Sequence, residues 1–258
     1  EDVCTYGLPI ILVRDPMLIP AADSYTCTRD PNISLHELNP DLLRSPILYF
    51  ANKALRGESV NYGNYDSVSI IPKKQLNLYN MKSAEMILTV SDTVADSINK
   101  TYREKVLKVN PAFNYINERL IISEDLHGRK LVNEDEKNVK VFLAKGTVGY
   151  ISKCNKHAAI TKYIPISFRP EFYHESFEEL YLDRNSLNGV ETPSRQLRPD
   201  EVFKCEYAYA LSATKSRFSH WDKVTLIADK NPEIDNEMYK RMLYTAITRS
   251  HGSLTLLL

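Results

Sequence analysis

Two kinds of strand pattern follow one another along this sequence, and their order restricts the fold more than any other feature. Short continuous apolar runs, typical of strands buried on both faces of a parallel sheet, occur towards both ends of the chain: Ile10–Val13, Val68–Ile71, Met86–Val90, Lys223–Ile227 and Leu254–Leu258. From about 110 to 205 they are replaced by β-rich runs between turn residues: Arg119–Ile122, Val139–Leu143, Thr147–Ser152, Ile160–Phe168 and Glu179–Leu182. Because short strands at this spacing are typical of a small barrel, the sequence predicts an α/β domain interrupted by an inserted β domain.

Helical patterns connect the apolar runs at both ends of the chain. They predict helices over 41–56, from Ser91 to about Lys108, over Glu206–Ser216 and over Asn236–Thr248. Pro46 predicts a break in the first of these helices or a late start to it, and Gly57 closes it. Residues 21–40 are polar and contain prolines, which predicts a connecting segment.

The composition excludes several classes of protein. Of the 258 residues, 43% are hydrophobic and 26% are charged, which is typical of a globular chain with a core and not of intrinsic disorder. Lys+Arg and Asp+Glu both number 33, so no overall electrostatic attraction to nucleic acid or membrane is expected, although a local basic patch stays open. No apolar stretch reaches the ~18 residues of a transmembrane helix. Four scattered cysteines and an N-terminus without a signal-peptide pattern favour the reducing cytoplasm.

The glycines exclude one kind of nucleotide site. There are only eight, and none is followed by lysine, so the chain has no Gly-Lys-Ser/Thr phosphate-binding loop. The Gly-x-Gly-x-x-Gly pattern of dinucleotide sites is also absent. We therefore expect that the chain does not hold a nucleoside triphosphate by itself.

Four segments of the sequence resemble the motifs of a known protein family: Ile11–Pro20, Ile87–Asp92 with its continuation to Arg103, Tyr209–Val224 and Leu243–Ser250. In this order and at this spacing they resemble motifs III, IV, V and VI of the RecD/Dda-like branch of superfamily-1 DNA helicases. Between the second and third segments, Leu131–Asn133 and Lys145–Val148 resemble one edge of the SH3-like domain that is inserted in that family.

The resemblance implies a fold and a division into domains. The fold would be an α/β, RecA-like parallel sheet with helices on both faces, interrupted by an SH3-like β-barrel. Residues 1–40 would be a remnant of a first RecA-like lobe with a linker, 41–109 the first part of a second lobe, 110–205 the insert, and 206–258 the second part of that lobe.

The resemblance also implies roles for particular residues. Arg249 matches the arginine finger that stabilises a transferring phosphoryl group. Asp15 and Arg249 are the two residues that the resemblance implies for nucleotide binding. Four residues match positions that contact single-stranded DNA: Lys215, Ser216, Arg217 and Thr245. Other interpretations remain open, since Arg249 and Lys215 could be solvated at helix ends and Thr245 could serve packing. No residues are spaced as a metal site.

The implied function is the C-terminal portion of an ATP-dependent DNA helicase, moving 5′ to 3′ by family analogy, in the cytoplasm of a bacterial or phage-infected cell. ATP and Mg²⁺ would bind only in an intact helicase, with none expected on this chain alone. The expected partners are single-stranded DNA and a first RecA-like lobe in the same or another chain, and no membrane. Because the chain lacks a phosphate-binding loop, we expect it to be inactive alone.

Several family positions are altered in this sequence, and they favour an alternative. Leu18 stands at the family's glutamine of motif III, Ala95 at the arginine of motif IV, and Arg217-Phe218 at Gln-Gly of motif V, while Arg14 replaces a turn glycine. The alternative is a non-catalytic nucleic-acid-binding or interaction module derived from a helicase. For such a module, the lysine-rich stretch 137–163 is either a nucleic-acid path or solvated surface.

Overall fold

Two β-sheets that share no strand organise the described part of the chain. The computed structural model describes residues 15–20, 33, 45–108, 116–133, 136–154, 163–171, 173–183, 187, 202–217, 219–230 and 232–258. The predicted strand Ile10–Val13, the predicted connection over 21–40 apart from position 33, positions 41–44 of the first predicted helix, and positions Arg14 and Phe218 lie outside these residues.

The elements follow in chain order. They are α1 (Pro46–Arg56), β1 (Gly63–Tyr65), β2 (Val68–Ile71), α2 (Leu78–Ser83), β3 (Met86–Thr89), α3 (Asp92–Thr101), β4 (Arg119–Ile122), β5 (Leu126–Asn133), β6 (Glu136–Leu143), β7 (Val148–Cys154), β8 (Tyr163–Pro170), β9 (Ser176–Asp183), β10 (Val202–Phe203), β11 (Cys205–Tyr207), β12 (Ala210–Ser212), β13 (Trp221–Ile227), α4 (Asn236–Ile247) and β14 (Ser250–Leu257). A 3-10 turn over Lys73–Gln75 precedes α2, and a π-helical turn over Tyr102–Leu107 continues α3.

The first sheet has the strand order β1-β2-β14-β13-β3-β12, and all its pairs are parallel except the β1–β2 hairpin. Its centre is β13, where Val224 pairs with Leu254 on one side and with Met86 on the other. The predicted strands therefore lie side by side in one parallel sheet, which confirms that prediction. Their side chains are buried on both faces, as continuous apolar runs require.

Helices cover both faces of this sheet. Successive strand residues point to opposite faces, so Leu88 and Leu226 pack with α1 and α4, whereas Ile87 and Ile227 pack with α2 and α3. The prediction of an α/β fold with helices on both faces is confirmed. The late start of α1 is confirmed too, because Pro46 occupies its first turn.

The second sheet is antiparallel along the order β11-β4-β7-β8-β9-β5-β6, and β10 pairs with β9 in parallel. It has a core of its own, formed by Leu120, Ile122, Leu126, Leu143, Ile151, Ile164, Ile166, Phe168, Phe177, Leu180, Leu182, Phe203 and Cys205. The predicted strands are present here. That this sheet is an SH3-like barrel, and the domain boundaries at 40, 109 and 205, stay predictions.

The predicted helix over Glu206–Ser216 is wrong. The structure has strands β11 and β12 there, followed by a turn over 213–217. The alanines and Leu211 favour a helix when the sequence is considered alone, but β12 pairs with β3. The Asn99 side chain also binds the backbone of Ala210, accepting from its N–H at 2.7 Å and donating to its carbonyl oxygen at 3.0 Å. Tertiary partners therefore decide this segment.

A buried polar network joins the two sheets. Glu118 at the start of β4 accepts two hydrogen bonds from Arg103, at 2.8 and 3.0 Å, and one from the Tyr209 hydroxyl at 2.7 Å. Tyr102 stacks on Tyr209 with ring centroids 4.7 Å apart, and Arg103 lies over the Tyr207 ring. These contacts fix the position of the second sheet against α3.

Candidate phosphate site

The C-terminal end of α4 holds Arg249 in a defined position. Its Nε donates to the Thr245 carbonyl oxygen at 3.1 Å, and its Nη2 donates to the Thr248 hydroxyl at 3.1 Å. Its Nη1 donates to the Arg217 carbonyl oxygen at 2.7 Å, in the turn that follows β12. The half-buried guanidinium therefore joins the end of α4 to the turn over 213–217.

The charge of Arg249 has no carboxylate partner among the residues that the structure describes, because its hydrogen bonds go to neutral oxygens. Burial lowers the pKa of Arg249, and the nearby Tyr244 and Asp15 partly oppose this effect. The group remains charged, because a guanidinium is not deprotonated in proteins. Of the five N–H donors of a guanidinium, three are used in these bonds. A half-buried cation with two donors that no described residue accepts from suits an anion.

Segment 15–20 contacts α4 and places the Asp15 carboxylate near Arg249. The Tyr244 hydroxyl donates to Asp15 Oδ2 at 2.8 Å, and Asp15 Oδ1 accepts from the backbone N–H of Met17 at 2.8 Å. Arg241 Nη1 donates to the Pro16 carbonyl oxygen at 3.1 Å. The structure thus brings Asp15 to α4, although 229 positions separate Asp15 from Tyr244.

Thr245 is fully buried in this arrangement. Its hydroxyl accepts a hydrogen bond from the backbone N–H of Ile19 at 3.1 Å, and Ile19 is itself buried. This placement is what the packing interpretation predicts. Contact of Thr245 with DNA stays a prediction, and it would require segment 15–20 to move away from α4.

The ammonium group of Lys215 lies among carboxylates. It forms an ion pair with Glu206 and another with Asp92 Oδ1 at 3.1 Å. Burial alone would lower the pKa of Lys215, but the hydrogen bond and charge of Glu206, together with Asp92, raise it overall. Burial also raises the pKa of the neighbouring Asp96. A DNA phosphate would therefore compete with two carboxylates for this lysine.

Ser216 and Arg217 serve the turn itself. Ser216 is fully buried, and its hydroxyl donates to the Ala213 carbonyl oxygen at 3.0 Å. Arg217 is half-buried, and its carbonyl oxygen accepts from Arg249. The contacts of Lys215, Ser216 and Arg217 with DNA stay predictions. Among residues 213–217, Thr214 is the exposed one.

Two residues of the four segments lie in the core. Trp221 is 2% exposed and packs in the cluster under α1 and α4. Ala95 stands where the family has an arginine, and it is buried against Met81 and Ile87. No cation can therefore act from position 95.

Sequence reasoning missed one residue that shapes the site and one that lies at the opposite end of the sheet. Tyr244 holds Asp15, and its only signal is its place directly before Thr245. Asp229 lies two residues beyond the carboxyl end of β13, whereas Arg249 lies at the amino end of that strand. Asp229 accepts from the backbone N–H groups of Val90 and Ser91, at 2.7 and 3.1 Å, and from the Ser91 hydroxyl at 2.6 Å. An acidic residue shortly after a buried strand was a usable signal, because strand ends carry such side chains.

Within the described ranges, no group of three or more His, Cys, Asp or Glu side chains is arranged to hold a metal ion. Every helix in the same part of the chain is too short or too polar to cross a membrane.

Neither a protein-family model nor a curated protein sequence matches the chain. Solved structures of Pif1 helicases are similar to it over about four-fifths of its length, at low identity. Pif1 helicase from Candida albicans is 13% identical, with 82% of this chain and 53% of that chain covered and a TM-score of 0.40. Bacteroides Pif1 bound to ssDNA is 12% identical, covering 82% and 49%, with a TM-score of 0.38. Bacteroides Pif1 in complex with ADP-AlF3 and ssDNA is 11% identical, covering 83% and 49%, with a TM-score of 0.40. The chain spans about half the length of these helicases.

Proposed function

We propose that this chain is the C-terminal portion of an ATP-dependent DNA helicase of the RecD/Dda-like branch of superfamily 1, with a second RecA-like lobe and an SH3-like insert. It would supply an arginine to a nucleotide site between two lobes and part of a track for single-stranded DNA. The observation that carries the proposal is the position of Arg249, a charged guanidinium held by neutral oxygens of motifs V and VI.

Arg249 suits one side of a phosphate group. Its three hydrogen bonds fix the plane of the guanidinium before any ligand arrives, and the remaining N–H groups can donate to phosphate oxygens. Preorganised donors of this kind stabilise charge that develops on a transferring phosphoryl group without reorganising. Tyr244 and Asp15 keep segment 15–20 against the same helix.

The residues of this chain do not suit the rest of a nucleotide site. They include no Gly-Lys-Ser/Thr loop, and one arginine alone does not hold a triphosphate with its Mg²⁺. In the proposed helicase, a first lobe in the same or another chain would bind ATP and Mg²⁺. The bound ATP would supply the phosphoryl group that is transferred to water during hydrolysis. Arg249 would act from the opposite side.

The test uses a polypeptide or complex that contains both lobes. Changing Arg249 to alanine should lower DNA-stimulated ATP hydrolysis by roughly 10³–10⁵-fold. Binding of single-stranded DNA should stay near the unaltered value, because Arg249 faces the nucleotide. Arg249→Lys should not restore turnover, since lysine lacks the planar fork. Full turnover in Arg249→Ala would contradict the proposal.

Two observations favour the alternative, a non-catalytic nucleic-acid-binding or interaction module. Ala95 lies in the core, where no cation can reach a nucleotide, and Lys215 is neutralised by Glu206 and Asp92. A module of this kind would bind single-stranded DNA without any ATP dependence. The two functions are distinguished by measuring DNA affinity with and without ATP in the two-lobe protein, because only a helicase changes its affinity with the nucleotide state.

A further inference from the structure

One segment of the first sheet is basic although the whole chain has no net charge. Between Asp66 and Glu85 the sequence contains no acidic residue and three lysines, Lys73, Lys74 and Lys82. The segment follows β2 as a 3-10 turn and continues into α2. We call its outer surface, formed by Lys73, Lys74, Leu78, Tyr79 and Lys82, the α2 face.

The α2 face presents a tyrosine ring to solvent. Tyr79 is 78% exposed and Leu78 is 46% exposed. On the opposite side of the helix, Met81 is 3% exposed and packs against the core under α2 and α3. A capping box between Asn77 and Asn80 fixes the first turn, with hydrogen bonds of 2.9 and 3.3 Å. The ring is therefore carried on an anchored helix.

The lysines of the α2 face carry unopposed charge. Among the described residues, Lys73, Lys74 and Lys82 form no ion pair, and each is exposed. Other lysines differ, since Lys153 pairs with Glu178 and Lys204 with Glu124, both at 2.7 Å. Because the chain as a whole is neutral, this surface is a local positive patch that attracts a polyanion.

Lys73, the first residue of the α2 face, lies at the edge of the first sheet from which the turn over 213–217 also begins. The backbone N–H of Lys73 donates to the Leu258 carbonyl oxygen at 3.1 Å, directly beyond the carboxyl ends of β2 and β14. The turn over 213–217 follows the carboxyl end of the parallel strand β12. Neighbouring strands lie about 4.8 Å apart, so the two places are separated by roughly 19 Å along one edge.

We infer that the α2 face binds single-stranded nucleic acid, with Tyr79 stacking on an unpaired base and Lys73, Lys74 and Lys82 contacting phosphates. An exposed aromatic ring among unpaired cations is the combination that such sites use, because every base offers a face for stacking. The inference rests on the single-stranded DNA binding proposed above. It places a contact where the cations are available, whereas Lys215 is already paired.

The test measures binding of a fluorescently labelled oligo(dT) to the full chain by anisotropy at low salt. Tyr79→Ala should weaken binding by roughly 5- to 100-fold, the range that stacking of one base supports. Tyr79→Phe keeps the ring and should bind like the unaltered chain. Tyr173→Ala is the matched control, because Tyr173 is 56% exposed and lies between β8 and β9 of the second sheet. It should have no effect.

A second pair of changes tests the phosphate contacts. Changing Lys73 and Lys74 together to glutamine should flatten the log–log dependence of affinity on salt by about 1.4, at about 0.7 for each phosphate contact. If the unaltered chain binds and the Tyr79 and lysine variants bind equally well, the α2 face is not the site, while the proposed function stands. Preference for duplex over single strands would also overturn the inference, since stacking requires unpaired bases. Absence of binding by the unaltered chain would overturn the proposed DNA binding itself.

Discussion

The hydroxyl of Tyr209 donates a 2.7 Å hydrogen bond to Glu118 at the junction of the two sheets. Glu118 is 2% exposed, and its other carboxylate oxygen accepts from Arg103. The carboxylate is thus removed from water and depends on one cation and one hydroxyl. Removing either partner leaves a buried charge that is only partly satisfied.

Changing Arg103 to leucine should destabilise the chain by about 3–5 kcal/mol, because the Glu118 charge remains buried without its cation. The double variant Arg103→Leu with Glu118→Leu should recover most of this loss, since both charges are then gone. Urea unfolding of the two variants measures the difference. Equal stabilities of the single and double variants would show that the pair is solvated.

Alkaline pH should unfold the chain partly through Tyr209. Burial, reinforced by the Glu118 charge, raises the pKa of Tyr209 above its ordinary value of 10.0. The folded chain therefore keeps this proton to a higher pH than the unfolded chain does. The contribution to stability is complete below pH 10 and declines as the pH rises further.

Tyr209→Phe should show a shallower loss of stability above about pH 10 than the unaltered chain. Part of the decline should remain, because burial also raises the pKa of Tyr102, Tyr150 and Tyr239. Denaturant midpoints measured from about pH 8 to about pH 11 give both slopes. Identical slopes would mean that Tyr209 ionises equally in both states.

The isolated chain should show no ATP hydrolysis above background. An arginine stabilises a transferring phosphoryl group only when that group is already held with its metal ion, and this sequence has no loop to hold it. A phosphate-release assay on the purified chain and on Arg249→Ala checks this. ATP hydrolysis by the unaltered chain that disappears in Arg249→Ala would show that the chain has a phosphate site without a recognisable sequence motif.

The salt dependence of DNA affinity tests whether the turn over 213–217 contacts DNA in addition to the α2 face. Changing Lys215 and Arg217 together to alanine should weaken binding of single-stranded DNA and flatten the log–log salt slope by about one to one and a half. Glu206→Gln should strengthen binding, because it removes a carboxylate that holds Lys215. An unchanged slope in the double variant would restrict the turn to a structural role.

Gly149→Ala should destabilise the second sheet by about 1–3 kcal/mol through overpacking. A Cβ atom at position 149 would lie 2.6 Å from Phe168 Cζ and 2.8 Å from Pro170 Cα. Gly146→Ala is the comparison, because its Cβ would meet nothing within 4 Å and only its φ of 86° is unfavourable. Thermal unfolding of both variants should rank Gly149→Ala as the less stable.

The parts of the fold with local signals could be predicted from the sequence. Continuous apolar runs identified β3, β13 and β14, while Pro46 and Ser91 marked the starts of α1 and α3. The segment 206–216 could not be assigned correctly, because its apolar residues suit a helix and long-range pairing decides otherwise. Pairing with β4 makes its first part the strand β11, and pairing with β3 makes its second part the strand β12. Long-range contacts also determine the ion pairs of Lys215 and the position of Asp15, which the sequence could not predict. Nothing local indicates that Glu206 and Asp92 neutralise Lys215, or that Asp15 reaches Tyr244.

The Asn99 side chain has a consequence for how this protein behaves in solution. Its amide occupies both the N–H and the carbonyl oxygen of Ala210 on the side of β12 that faces away from β3. A side-chain amide there imitates the peptide group of one more strand. Open strand edges recruit strands from other molecules and lead to aggregation or domain swapping. Asn99 blocks the open edge of β12 at Ala210. Through this residue, α3 should oppose aggregation as well as pack against the sheet.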